Sequence, residues 1–358
     1  METALKENVA EKCRLVFGST THLLSLAVLA GDASSRRYYR ARLTNSRAPA
    51  SIIVMEIPGG SALPLASEEL AIFKEPLKEL PFFNLHRFLS GIGVRVPHLY
   101  GQWETERIFF LEDLGDVTLW DRVQGQPQSE ILAWYCRAID ELLVLQVRGT
   151  RNRDNDCIAF QQRFDFRLYM WEFDHFLEFG WRAGPGASAS QATAHTLRQS
   201  FEDIARRLDS QIPCLNHRDY HSWNLMIHDN AIAVIDFQDG LLAPMQYDLA
   251  SLLNDRITDQ VIQSPLEEAL IDYYIGKREA LDEARIDREE FFEIYLLSAI
   301  QRDLKVIGRF FYLDIVKGKP GYKQFIPATV RRLRRNLERL PRLQRTIPLL
   351  AERFEEMG

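Results

Sequence analysis

His217-Arg218-Asp219-Tyr220-His221-Ser222-Trp223-Asn224 is followed, twelve residues beyond the Asn, by Ile235-Asp236-Phe237. The residue types suit phosphate chemistry. A carboxylate such as Asp219 can accept the proton of a substrate hydroxyl, while an amide and a second carboxylate, Asn224 and Asp236, can hold magnesium against phosphates. Leu225–His228 and Ala231–Ile235 read as two short strands joined at Asp229-Asn230. Such a hairpin returns the chain so that Asp236 emerges near Asn224. Any one of these polar residues would fit an ordinary turn; their joint identity, order and intervening hairpin point to a site.

Working outward, the chain has 358 residues, enough for two lobes. It is 46% hydrophobic and 26% charged, as soluble globular proteins are. A net charge of −6 gives no reason to expect nucleic acid as a partner. No apolar run reaches membrane-spanning length, and Met1–Lys6 lacks the start of a secretion signal. The expectation is a cytoplasmic protein with no membrane association and no obligatory protein partner. Cys13, Cys136, Cys157 and Cys214 lie far apart and read as reduced thiols rather than a zinc site or disulfide frame.

The N-terminal part opens with a helix broken at Gly18-Ser19-Thr20, then runs through strand patterns at Tyr38–Leu43, Ser51–Ile57, Val96–Trp103 and Arg107–Leu111. Helical pieces at Glu68–Leu80 and Phe82–Leu89 interrupt them. Helical periodicity dominates afterwards, at Ser129–Arg148, Thr196–Leu208, Gln246–Ile257, Ser264–Ile275, Arg288–Ile307 and Ala328–Leu340. Strands first and helices later predict an α+β fold of two lobes. Residues 1–113 form the expected nucleotide-binding lobe and 114–358 the catalytic and substrate-binding lobe, hinged in Leu111–Asp116. The basic run Val330–Arg335 reads as the solvated face of a packed helix.

The loop resembles the protein-kinase H-R-D-L-x-x-x-N and D-F-G pair, with Tyr220 and Gln238 in place of Leu and Gly. His221 and Tyr247-Asp248-Leu249-Ala250 make the closer resemblance one to the aminoglycoside phosphotransferase-like kinases of small molecules. Within them, Gly31–Arg40, Leu111–Asp116, Ile235–Gly240 and Gln301–Gly308 look like the bacterial branch that phosphorylates N-acetylmuramate and N-acetylglucosamine at the anomeric hydroxyl. The resemblance implies a protein-kinase-like fold, ATP and Mg2+ as cofactors, and a small-molecule sugar as acceptor. Asp219 would be the base, and Asn224 and Asp236 the metal ligands. Ser34, Ser35, Arg36 and Arg37 would cover the phosphates, with Glu112 and Leu114 meeting the nucleotide at the hinge. His217, His221, Asp239 and Asp248 would support the loop.

Met55 stands where the kinase V-A-I-K strand carries its phosphate-binding Lys, so Arg36, Arg37 or Arg40 is expected to supply the charge. The aromatic stretch Arg163–Gly180 is core-like, yet Trp171 could stack on a sugar ring while Glu172 or His175 binds its hydroxyls. Two other functions remain open. A kinase of aminoglycosides or other amines would need an acidic cleft, for which Asp255 and Asp259 are candidates. A pseudokinase binding module has Met55 as its support.

Overall fold

The computed structural model describes residues 2–29, 36–44, 48–57, 70, 73, 79–183 and 190–358. The expected loop residues Ser34 and Ser35 and most of the helical piece Glu68–Leu80 lie outside them.

Helix α1 (Glu2–Phe17) is followed by five antiparallel strands, β1 (His22–Val28), β2 (Arg37–Thr44), β3 (Ser51–Glu56), β4 (Leu99–Trp103) and β5 (Ile108–Glu112), ordered β1-β2-β3-β5-β4. The period-2 alternation of strands divides this sheet into two apolar faces. Tyr39, Ala41, Ile52, Val54 and Phe110 join Val9 and Cys13 of α1 in one cluster. Met55, Phe109 and Leu111 belong instead to the cluster shared with the helical part. Between β3 and β4 runs α2 (Pro81–Gly91), started by a proline at its first turn.

The remainder is mainly helical: α3 (Leu119–Val123), α4 (Gln128–Leu143), the short α5 (Gly149–Arg151), α6 (Phe166–His175), α7 (Gln191–Asp209), α8 (Gln246–Leu253), α9 (Ser264–Asp282), α10 (Arg288–Ile315), α11 (Ile326–Glu338) and α12 (Ile347–Ala351). Two small ladders sit among them. Strand β6 (Pro213–Asn216) pairs with β9 (Leu241–Pro244), and β7 (Leu225–His228) with β8 (Ala231–Val234). The β7–β8 turn has positive φ at both Asp229 (49°) and Asn230 (58°), the mirror-image turn that matches strand twist. It is the hairpin expected between Asn224 and Asp236.

The aromatic stretch continues α6 as a π-helical segment, Phe176–Arg182. Helix α10 crosses it closely at Gly308, where an added Cβ would lie 2.8 Å from Phe176 Cα. Sheet and helices are tied at α2. The Phe82 ring stacks on Phe237 with centroids 5.1 Å apart, and Phe83 meets Phe109 at 4.4 Å.

In the basic run on α11, Arg331 is exposed as expected, but Arg332 departs from the solvated role. Arg332 is buried and donates to Asp303, also buried, at 2.6 Å. A buried guanidinium requires such a partner. Among the described residues, no helix is long and apolar enough to cross a membrane, and the four cysteines are unbonded to one another.

Candidate active site

The loop after β6 is bent by one carboxylate. Asp248, fully buried at the start of α8, accepts the backbone N–H of His217 at 2.5 Å and of Arg218 at 2.9 Å. Those bonds hold Arg218 at φ 80°, a left-handed conformation costly for any residue with a Cβ. Burial raises the Asp248 carboxyl to about 6, against the opposing pull of His217 and the two N–H donors. His217 Nε2 lies 2.9 Å from the Ile235 carbonyl, and its Nδ1 is 3.3 Å from the Asp219 N–H. That pattern requires the proton on Nε2 and the lone pair on Nδ1. His217 therefore joins the two halves of the loop.

Asp219 follows, with its carboxyl about 35% exposed. Arg302 Nη1 is 3.3 Å from Asp219 Oδ1 and also donates to the Arg218 carbonyl. Lys305 Nζ is 3.5 Å from the same Oδ1. Burial would raise the Asp219 carboxyl, but Lys305, then Arg302 and Arg218, outweigh it and hold the group well below the usual carboxylate range. Burial would likewise favour neutral Lys305; Asp219 and Glu172 reverse this and keep it charged. The candidate base is thus an anion sustained by cations behind it.

The amide nitrogen of Asn224 donates to the Asp219 carbonyl at 3.0 Å and lies 3.4 Å from His221 Nε2. Burial shifts the His221 ring down, toward the neutral form that accepts such a bond. Asn224 consequently keeps its oxygen as the remaining ligand atom. Asp236 has φ 63°, another strained position, and Gln238 donates to its Oδ1 at 2.8 Å while lying 3.5 Å from Asp239 Oδ2. An amide oxygen and neighbouring carboxylates form the hard donor set magnesium prefers, so these residues fit that ion.

On the nucleotide side, Glu112 is occupied by Arg95, whose two terminal nitrogens lie 2.5 and 2.7 Å from its oxygens. A nucleotide at this hinge would meet the backbone of Glu112 rather than its side chain. Leu114 is buried with Met226 and Ala233 against Ile235, an apolar floor beside the hinge. Met55 is fully buried and paired in register with Tyr38. Of the three arginines proposed in its stead, Arg40 is committed elsewhere. It binds Asp113 and Asp116 across the hinge at 2.7 and 2.8 Å. Arg37 is on the opposite face of the strand, exposed and 3.9 Å from Glu56. Arg36 is the remaining candidate, and its charge, like that of Asp236, acts on Tyr38. Burial raises the Tyr38 hydroxyl, Arg36 lowers it and Asp236 raises it.

The acceptor-side expectations divide. Glu172 is corrected by its placement: it is buried, receives Arg218 Nη2 at 2.7 Å and Gln301 Nε2 at 2.6 Å, and offers no open face to a sugar. Trp171 is 37% exposed and stacks on His175 at 5.4 Å, and His175 meets Tyr312 of α10 at 5.3 Å. Asp255 is buried beside Arg256, so it does not line an open acidic cleft. Arg302 and Lys305 are the functional candidates that local spacing left without roles.

These features define a protein-kinase-like phosphotransferase. Residues 25–285 match the phosphotransferase enzyme family (APH), and the chain belongs to that family. It is 29% identical over 335 residues to an N-acetylmuramate/N-acetylglucosamine kinase of Pseudomonas putida, covering 92% of this chain and 88% of the relative. A kinase of the same description from Neisseria meningitidis serogroup B is 27% identical over 330 residues, covering 91% and 90%. The choline kinase LicA of Streptococcus pneumoniae shares the fold, with TM-score 0.59 and 14% identity over 94% of this chain and 99% of that one. LicA also has a structure with AMP. The chain is therefore an ATP-dependent kinase with a sheet lobe and a helical lobe.

Two outcomes check this geometry. Replacing Lys305 with Met removes the cation that contributes most to holding Asp219 ionised, so the acid limb of the kcat–pH profile moves to higher pH. An unmoved limb would mean that Lys305 does not tune Asp219. Arg36→Ala raises the KM for ATP several-fold while Arg37→Ala leaves it nearly unchanged; equal effects would remove the preference for Arg36.

Proposed function

We propose that the protein transfers the γ-phosphoryl group of ATP to the anomeric hydroxyl of an N-acetylated amino sugar. The observation that carries the reading is the shared use of α10, whose Lys305 meets Asp219 and whose Tyr312 meets His175, itself stacked on exposed Trp171. An apolar ring flanked by polar groups suits the face of a pyranose. Kinases of N-acetylmuramate and N-acetylglucosamine that align with about nine-tenths of the chain support the same acceptor.

In this mechanism, residues 1–113 serve as the nucleotide lobe and 114–358 as the catalytic lobe. Asp219 receives the hydroxyl proton as the sugar oxygen bonds to γ-phosphorus and the bond to the β–γ bridging oxygen breaks. Because the transition state is loose, that proton moves late, and a weakly basic but well-positioned carboxylate suffices. Arg302 and Lys305 orient Asp219, while His217 and Asp248 fix the loop below it. Asn224 and Asp236, with Asp239 beside them, would hold magnesium, which supplies neutralising charge at the phosphates when bound. Arg36 adds a cation from the sheet lobe in place of the lysine absent at Met55.

A panel of N-acetyl sugars, plain hexoses and aminoglycosides, assayed for ADP release, tests the acceptor. N-acetylated amino sugars are expected to give the highest kcat/KM. Preference for an aminoglycoside would overturn the reading. Asp219→Asn should lower kcat by about 10²–10⁴-fold and leave ATP binding intact; undiminished turnover would remove Asp219 as the base.

A further inference from the structure

We propose that Arg309 anchors a carboxylate on the acceptor and so sets the preference between acidic and neutral amino sugars. The inference rests on the acceptor reading above. Arg302, Lys305, Arg309 and Tyr312 follow one another on α10 at spacings of three, four and three, which places them along one helical face. The first two reach Asp219. Arg309 begins about 6 Å farther along the axis than Lys305, from the helical rise per residue.

The charges on this stripe are used differently. Arg302 is bound to the Arg218 carbonyl and Asp219, and Lys305 lies between Asp219 and Glu172. Among the described residues, Arg309 meets no carboxylate. Its guanidinium lies over the Tyr312 ring, 5.1 Å from the centroid. Nearby acids are already paired or do not reach it. Asp174 pairs with Arg198 and Asp314 with Lys323, while Glu178 is exposed and, among the described residues, pairs with no cation. A guanidinium lying over a ring still has N–H donors to offer a planar carboxylate.

Tyr312 also carries the stripe to the sugar-binding candidates, since its ring meets His175, which stacks on Trp171. One helical face therefore links the base, an arginine lacking a carboxylate partner and the aromatic wall. An N-acetylated sugar bearing an ether-linked carboxylate, as N-acetylmuramate does, could use all three. N-acetylglucosamine has no group for Arg309. A polycationic aminoglycoside would meet like charge there.

The test is the ratio of kcat/KM for N-acetylmuramate to that for N-acetylglucosamine. Arg309→Ala is expected to lower this ratio at least tenfold, mainly by raising KM for the acidic sugar. Arg309→Glu should lower it further, and Arg309→Lys should recover part of it. Thermal melts establish that each variant is folded. A folded Arg309→Ala enzyme whose ratio stays within twofold of the wild type would overturn the Arg309 assignment while leaving the sugar-kinase reading standing. If the wild-type enzyme used neither sugar, the acceptor reading itself would fail and this inference with it.

Discussion

The double acceptance of the His217 and Arg218 backbone N–H groups by Asp248 is the constraint on which the site depends. Without it, the left-handed Arg218 has no local reason to persist. Asp219, Asn224 and the Ile235 carbonyl take their positions from that bend, through His217 on one side and the Asn224 amide on the other. The buried carboxylate is costly, as its raised pKa near 6 indicates. Its two charge-assisted bonds offset part of that cost by directing the strained loop.

Around this bend, charge is balanced within the helical lobe. Arg218 finds Glu172 on α6, and Lys305 on α10 lies near both Glu172 and Asp219. In protein kinases, new phosphate–arginine pairs on an activation loop can order the site. Here the Arg218 guanidinium already has a buried carboxylate partner, and only the short segment of β9 separates Asp239 from α8. The loop is organised by permanent side chains. Its nucleotide side is also unusual, because apolar Met55 joins the buried cluster with Phe82 and Phe109.

Legibility in the sequence followed locality. The loop, the β7–β8 hairpin and the strand-to-helix order were readable because their signals are spacings of a few residues. The partners of that loop were less readable: Glu172 lies 46 residues before Arg218, and Lys305 lies 86 after Asp219. A recoverable signal did exist in α10, where Arg302, Lys305 and Arg309 recur at spacings of three and four along one helical face. Similarly, Arg332 looked solvated because sequence alone did not reveal Asp303 across the α10–α11 contact. Tertiary pairing, rather than local propensity, decided those positions.

Phosphorus and proton NMR of the product made by wild-type protein from ATP, magnesium and N-acetylglucosamine decides which hydroxyl receives the phosphoryl group. The expected product is a sugar phosphate whose phosphorus couples to the anomeric proton, with the reducing end lost. Phosphate on another carbon with the reducing end intact, or no sugar phosphate alongside turnover of an aminoglycoside, would contradict it.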